Sequence, residues 1–310
     1  MIYTLTINPS IDYYLWTDEL VTNETLRAQK AVFAPGGKGI SSATILGRLG
    51  MPVTPIVMAG GDTGMLLQSL LISEPISAEY IDAEVPTRIN VKISDQNGHY
   101  ELNAPGLPLG DEAMKKLASR LSQLQKGDWL ILSGSLPEHL ADDFYAKIVR
   151  ELSIKGIKVG VDTSGPALKV AIKEHPAFIK PNEEEAAALF NIPFDPQNGL
   201  SEQQIENIFC QLTESGVERV IITLGAKGSI YGDNQGNRFR FASPQVKVVA
   251  TVGCGDSFVG GFVYGLVKYD SPLEAMAYGT AAGAATAATQ FLGDKTAIEE
   301  IRKKVILPKK

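Results

Sequence analysis

Apolar and polar positions along the chain repeat with two periods, and each period marks a kind of element. The opening IYTLTI reads as a strand stopped by the Asn8-Pro9-Ser10 turn. Residues 38–49 read as a helix closing on Gly50, VTPIVMAGG at 53–61 returns to strand, and Asp62 to Leu71 is helical in character. From Asp111 onward the alternation is regular. A helical run at 111–125 precedes the strand DWLILSGS, then come the helix ADDFYAKIVREL, the strand IKVGVD, a short helix near 166–174 and the strand AFIKP. The helix NEEEAAALF, a helix at 201–215 and the strand VERVIITLG continue it. Near-continuous apolar strands alternating with helices predict an α/β fold, a mostly parallel central sheet with helices on both faces. Late in the chain, YGTAAGAATAATQ carries the small residues of a tightly packed buried helix.

The rhythm breaks between about 76 and 104. There VPTRINVKI and HYELN flank the turn DQNG and read as a hairpin. Residues near 13–34 have the same β character. The segments at about 13–34 and 84–104 are therefore expected to pair into a small β-sheet lid on a single domain spanning 1–310.

Composition narrows the classes. Of the 310 residues, 44% are hydrophobic and 21% charged, enough for a sizeable core. A formal net charge of −6 argues against nucleic acid as a partner, so an anionic ligand must be held by local cations. Cys210 and Cys254 are too few for a disulfide scaffold or a zinc site. The opening MIYTLTINPS lacks a signal-peptide pattern and no apolar run reaches about 18 residues, so a cytoplasmic protein is expected.

In such sheets ligands bind beyond the carboxyl ends of the strands. Those ends bring Asn8, Gly60, Ser133, Asp162, Lys180 and Gly225 to one edge. Three clusters stand out. In TVGCGDSFVGG, Gly253 and Gly255 let backbone N–H groups turn into one concavity in front of a helix, with Asp256 at its rim. The same Asp is also a favourable first-turn residue, and glycine turns before helices are common. In PGGKGISSATILGRLG, Lys38 stands at a helix start, where a cation opposes the macrodipole unless it serves an anion. In KPNEEEA, Asn182 is a good helix cap, and with Glu185 three residues on it shares a face that can direct oxygens at Mg²⁺ or its waters.

These segments, with AGGDTG, TRINVKI, LSGSLP and TLGAKGS in the same order, resemble the ribokinase-like (PfkB) carbohydrate kinase family almost end to end. TLTINPSID, TRINVKI, SGSLP and DTSGPAL are similar to its sugar-phosphate branch, the 1-phosphofructokinases and tagatose-6-phosphate kinases. The resemblance implies an ATP- and Mg²⁺-dependent kinase. Asp256 would be the general base, and the backbone of Gly253, Cys254 and Gly255 would stabilise the transferring phosphoryl group. Asn182 and Glu185 would organise Mg²⁺ through water. Lys180 and the loop carrying Thr223, Gly225, Lys227 and Gly228 would bind the nucleotide. At the acceptor end, Asp12, Gly36, Gly37, Lys38 and Ser41 would hold the sugar. Lys38, Arg27 and Arg88 are the expected phosphate-binding cations, with Asn90 and Asn103 as hydroxyl or phosphate partners.

Ser41 stands where the family usually has Asn, Ala250 where many members have Asp, and Ala104 where related chains tend to be acidic. These departures bear on the acceptor. The expected reaction is phosphorylation of fructose 1-phosphate to the 1,6-bisphosphate, with tagatose 6-phosphate as the second acceptor. A sugar-phosphate sensor without turnover is the reading from another class. The partners expected are the sugar phosphate, ATP and a second copy of the chain through the lid, with no membrane or nucleic acid.

Overall fold

The computed structural model describes residues 1–308. The chain opens with β1 (Ile2–Thr6), β2 (Ser10–Trp16) and β3 (Lys30–Gly36), followed by α1 (Lys38–Arg48), β4 (Val53–Ala59), α2 (Gly61–Leu71) and β5 (Glu79–Asp82). The hairpin β6 (Arg88–Asp95) and β7 (Gly98–Leu102) leads to α3 (Asp111–Ser122), β8 (Trp129–Ser133), α4 (Phe144–Ile154) and β9 (Lys158–Asp162). Then come α5 (Gly165–Ala171), β10 (Phe178–Ile179), α6 (Glu183–Leu189), α7 (Glu202–Glu214) and β11 (Arg219–Thr223). The chain closes with β12 (Ser229–Asp233), β13 (Arg238–Phe241), α8 (Cys254–Tyr269), α9 (Pro272–Ala287) and α10 (Lys295–Arg302).

A nine-stranded sheet runs in the order β13-β12-β11-β10-β9-β8-β1-β4-β5. Neighbours from β11 to β5 are parallel, and β12 and β13 finish one edge antiparallel. Successive residues of each central strand face opposite sides, as the pleat requires. On β8, Leu130 and Leu132 enter one core with α3 to α7, while Trp129 and Ile131 enter the other with α1, α8, α9 and α10. That double covering is why these strands read as unbroken apolar runs.

The expected parallel sheet with helices on both faces is present. The antiparallel edge β12–β13 and the strand β5 were not anticipated, and β10 is two residues rather than the five of AFIKP. Pro181 has no N–H for a ladder, so pairing stops early there.

Beside the main body stands a four-stranded sheet in the order β3-β2-β6-β7. β2 pairs antiparallel with β3 and parallel with β6, placing Ser10, Asp12 and Tyr14 opposite Arg88, Asn90 and Lys92. The two stretches singled out by their β character do pair with each other. No helix among the described residues is long and apolar enough to cross a membrane.

Candidate active site

A cleft of about 660 Å³ lies between the small sheet and the carboxyl ends of the main strands. Asn8 follows β1, Ser133 ends β8 and Ser164 follows β9, and all three reach it. The start of α1 enters with Lys38 and Ser41, the start of α8 with Gly253 and Asp256, and the small sheet with Asp12, Arg88, Asn90 and Lys92. A second, smaller hollow of about 480 Å³ between α2 and β5 holds no carboxylate, lysine or arginine among its lining residues.

Gly253 caps α8 with φ 78°, a left-handed conformation open to glycine and costly for larger residues. No side chain caps this helix. Cys254 N–H reaches the Thr251 carbonyl at 3.4 Å, so it is the engaged member of the three backbone groups expected to meet a phosphoryl group. Asp256 sits in the first turn rather than at the cap.

Charges of both signs converge behind it. Asp162, at the end of β9, is buried and pairs with the buried Lys180 at 3.2 Å. Neither Asp162 oxygen has a further hydrogen-bond partner. Lys38 Nζ lies 4.0 Å from Glu185 Oε1. Asp162, against the opposing effect of burial and with help from Asp256 and Glu185, raises the Lys38 ammonium above the usual lysine range. Burial pushes the Asp256 carboxyl up to about 6, Lys38 pulls it down, Asp162 pushes it up, and Lys180 and Ser41 pull it down. Asp256 is therefore ionised at neutral pH but weakly acidic for a carboxyl, the range suited to a proton acceptor. The Cys254 thiol is pushed up to about 11 by burial and by Asp256, which makes it a poor nucleophile despite its place at a helix start. Asp162 received no role from the sequence. A carboxylate ending an apolar core strand is the signal that could have singled it out.

The opposite wall is a polar network. Asp12 Oδ1 accepts from Ser10 Oγ at 2.9 Å and from Asn90 Nδ2 at 2.9 Å. A Cβ on Gly36 would lie 2.2 Å from Ser10 Oγ and 2.6 Å from Asp12 Oδ1, so only glycine lets β3 pass this pair. Ala104 N–H donates to Asn90 Oδ1 at 3.1 Å. Gly37 and Asn103 also line the cleft.

Arg27 does not. It lies exposed on the connection between β2 and β3, because the β-like stretch expected from 13 to 34 is interrupted by a loop at 17–29. Arg88 reaches the cleft but donates Nη1 to the Ala104 carbonyl at 2.8 Å and Nη2 to the Asn8 carbonyl at 3.1 Å. The neighbouring lysine on the same strand face, Lys92, lines the cleft and was not singled out from the sequence. Its signal was the alternation Arg88, Asn90, Lys92.

On the side expected to take the nucleotide, Lys180 Nζ lies beneath Gly255, 3.4 Å from where a Cβ would stand. Asn182 and Glu185 form a capping box on α6. Asn182 Oδ1 accepts from Glu185 N–H at 2.7 Å, and Glu185 Oε2 accepts from Asn182 N–H at 2.9 Å. Asn182 also bridges to Thr223, which brings the N-x-x-E turn beside the loop after β11. Gly225 and Gly228 adopt φ 57° and 99° in that loop. Lys227 points elsewhere: its Nζ pairs with Glu183 at 3.4 Å and donates to the Asn198 carbonyl at 3.3 Å. It braces α6 rather than standing free for a phosphate.

No three His, Cys, Asp or Glu side chains cluster as a metal cage among the described residues. The cap leaves Glu185 Oε1 uncommitted except toward Lys38. That suits a water-mediated cation better than direct ligation.

The profile of the pfkB family carbohydrate kinases matches residues 3–296. A 1-phosphofructokinase of Borreliella burgdorferi is 36% identical over 93% of this chain and 92% of its own. A D-tagatose-1-phosphate kinase of Bacillus licheniformis is 34% identical over 97% of each. Phosphofructokinase-2 of Escherichia coli, in complex with substrates and products, superimposes with a TM-score of 0.91 at 31% identity, covering 98% of this chain and 99% of that one.

Proposed function

The chain belongs to the pfkB family of carbohydrate kinases and is an ATP-dependent sugar kinase, and from that premise we propose that its acceptor is the free primary hydroxyl of a ketohexose phosphate, fructose 1-phosphate first. The product is fructose 1,6-bisphosphate. A relative named D-tagatose-1-phosphate kinase adds tagatose 1-phosphate to tagatose 6-phosphate as an alternative acceptor beside fructose 1-phosphate.

One observation carries the reading. A half-buried carboxyl, pushed up to about 6 by desolvation, stands at an open helix start, at the end of a cleft whose far wall holds Asp12, Asn90 and cations. Asp12 and Asn90 orient the sugar through its hydroxyls. Asp256 accepts the proton of the acceptor hydroxyl as that oxygen attacks the γ-phosphorus of ATP, and the bond to the β,γ-bridging oxygen breaks. Backbone N–H groups at the start of α8, with Lys38 and Lys180, meet the charge on the transferring phosphoryl oxygens. Asp162 pairs with Lys180, holding it in place, and keeps Lys38 cationic. Asn182 and Glu185 would hold Mg²⁺ through water, and Mg²⁺ bound there neutralises charge on the nucleotide phosphates.

The small sheet has an inverted pattern. Its cleft face is polar and buried, while Phe33, Ile89, Tyr100 and Leu102 stand 40–59% exposed on the other. The partner we assign to that apolar face is a second copy of this chain.

The deciding experiment measures ADP release with fructose 1-phosphate, tagatose 1-phosphate, tagatose 6-phosphate, fructose 6-phosphate and free fructose. The expected result is a preference of at least about tenfold in kcat/KM for a 1-phosphate, with Asp256→Asn slower by roughly 10²–10⁴ while still binding sugar. Activity confined to free fructose would remove the phosphate from the reading. Undiminished turnover by Asp256→Asn would remove the base.

A further inference from the structure

Five cations stand on or near the acceptor side, and four of them are off the cleft or anchored to the fold, Arg48 by Glu74 and the Leu292 and Gly293 carbonyls. Arg27 is off the cleft. Lys38 is held among Asp162, Asp256 and Glu185 at the transfer end. Arg88 is anchored at the base of β6 by donating Nη1 and Nη2 to backbone carbonyls, and its buried Nε–H is left without a partner one step nearer the main body than Asn90. Lys92 remains. It is 8% exposed, its Nζ donating to Glu101 Oε2 at 2.5 Å and to Asn103 Oδ1 at 3.1 Å. Lys is rarely so buried unless a specific partner holds its charge. Here the partner is half out: the Glu101 side chain is 44% exposed, and it faces Lys92 across the β6–β7 pair.

The register shows where this ammonium lies along an acceptor. β6 leaves the main body at Arg88, which is tied to the Asn8 carbonyl. Each further step of two residues carries the cleft face about 6.6 Å outward. Asn90, bonded to Asp12, is one step out, and Lys92 is two. Asp256 and Lys92 line the same cleft as Asp12 and Asn90, so a sugar gripped at Asp12 and Asn90 can present one end to each.

We propose that Lys92 binds the ester phosphate of the acceptor and thereby selects phosphorylated over free ketoses, Glu101 occupying the ammonium until the phosphate displaces it. This rests on the sugar-phosphate reading above and adds to it the residue that enforces the substrate class. A dianionic phosphate competes with a carboxylate for the same ammonium, and Glu101 has solvent into which to turn.

The test compares Lys92→Met, Lys92→Arg and Glu101→Gln with wild type. Steady-state kinetics are measured with fructose 1-phosphate and with fructose, and calorimetry reads fructose 1-phosphate binding without ATP. Lys92→Met is expected to raise KM and Kd for fructose 1-phosphate at least about tenfold, the loss of one charge-assisted hydrogen bond. Its kcat and its KM for ATP change far less. The preference over fructose falls by a similar factor, and Lys92→Arg restores most of it. Glu101→Gln is expected to tighten fructose 1-phosphate binding, and it tests the competition should Lys92→Met fail to fold. An unchanged Kd in Lys92→Met, equal losses on both sugars, or weaker binding in Glu101→Gln overturns the assignment while wild-type turnover of the ester leaves the function standing. A wild-type protein that neither binds nor phosphorylates a ketohexose phosphate overturns both.

Discussion

A carboxyl that must take a proton from an alcohol cannot be an ordinary surface Asp, which would hold the proton too weakly. Asp256 is lifted by burial to about 6 and kept from rising further chiefly by Lys38. Two consequences follow from the sign of that shift. For turnover, kcat/KM should hold level above about pH 6 and fall close to tenfold per unit below it, as the base is protonated. For stability, the native carboxyl binds its proton more tightly than the unfolded one at 3.8, so ionising it costs stability. That cost is fully present above about pH 6 and disappears as pH falls toward 3.8. Asp256→Asn, neutral throughout, should therefore abolish the acid limb in any residual activity without lowering Tm at pH 7.5. A pH–rate profile and a melting curve check both. An acid limb centred near 4, or a marked loss of Tm in Asp256→Asn, would refute the tuned base. The sequence placed this Asp at a helix start beside glycines. It could not show the ionisation, because that depends on Lys38, Asp162 and Lys180 from three other parts of the chain.

Asn182 and Glu185 show one element serving two purposes. Their mutual hydrogen bonds close the first turn of α6, and the remaining Glu185 oxygen turns toward Lys38. The two purposes separate by substitution. Asn182→Ser keeps a capping oxygen and should cost no more than a few tenths of a kcal/mol, whereas Asn182→Ala should cost about 1 kcal/mol. If the turn also organises Mg²⁺, Asn182→Ser should still raise the Mg²⁺ concentration needed for half-maximal rate. Denaturant melts and a Mg²⁺ titration of initial rate measure the two effects, and an unchanged Mg²⁺ requirement would leave the cap as the turn's whole purpose. Elements of this kind were legible from sequence: the N-x-x-E turn, the glycine-bounded start of α8 and the alternating units around β8 and β9 all appear where periodicity and caps put them. The antiparallel edge was harder to see. β12 and β13 are short, and the polar turn between them at residues 234–237 resembles any surface loop.

At the scale of the molecule, the cleft exists because the small sheet turns its polar face inward and its apolar face out. Such an arrangement leaves Phe33, Ile89, Tyr100 and Leu102 uncovered in a single chain. Light scattering should find a dimer, and Leu102→Asp with Phe33→Asp should shift it to monomer; a wild-type monomer at micromolar concentration would refute the assignment. The sequence by itself determined the fold class and the strand ends and helix starts that line the cleft, because these are local: a period, a cap or a glycine turn is written within a few residues. It also offered Arg27, Arg88 and Lys227 as phosphate-binding cations; tertiary structure leaves Arg27 off the cleft, brings Arg88 to its wall and pairs Lys227 with Glu183. Which ammonium is free and which is spent on a carbonyl or a glutamate depends on partners brought together from distant segments. The role of Lys92 was likewise decided only when β6 found β2 on one side and β7 on the other.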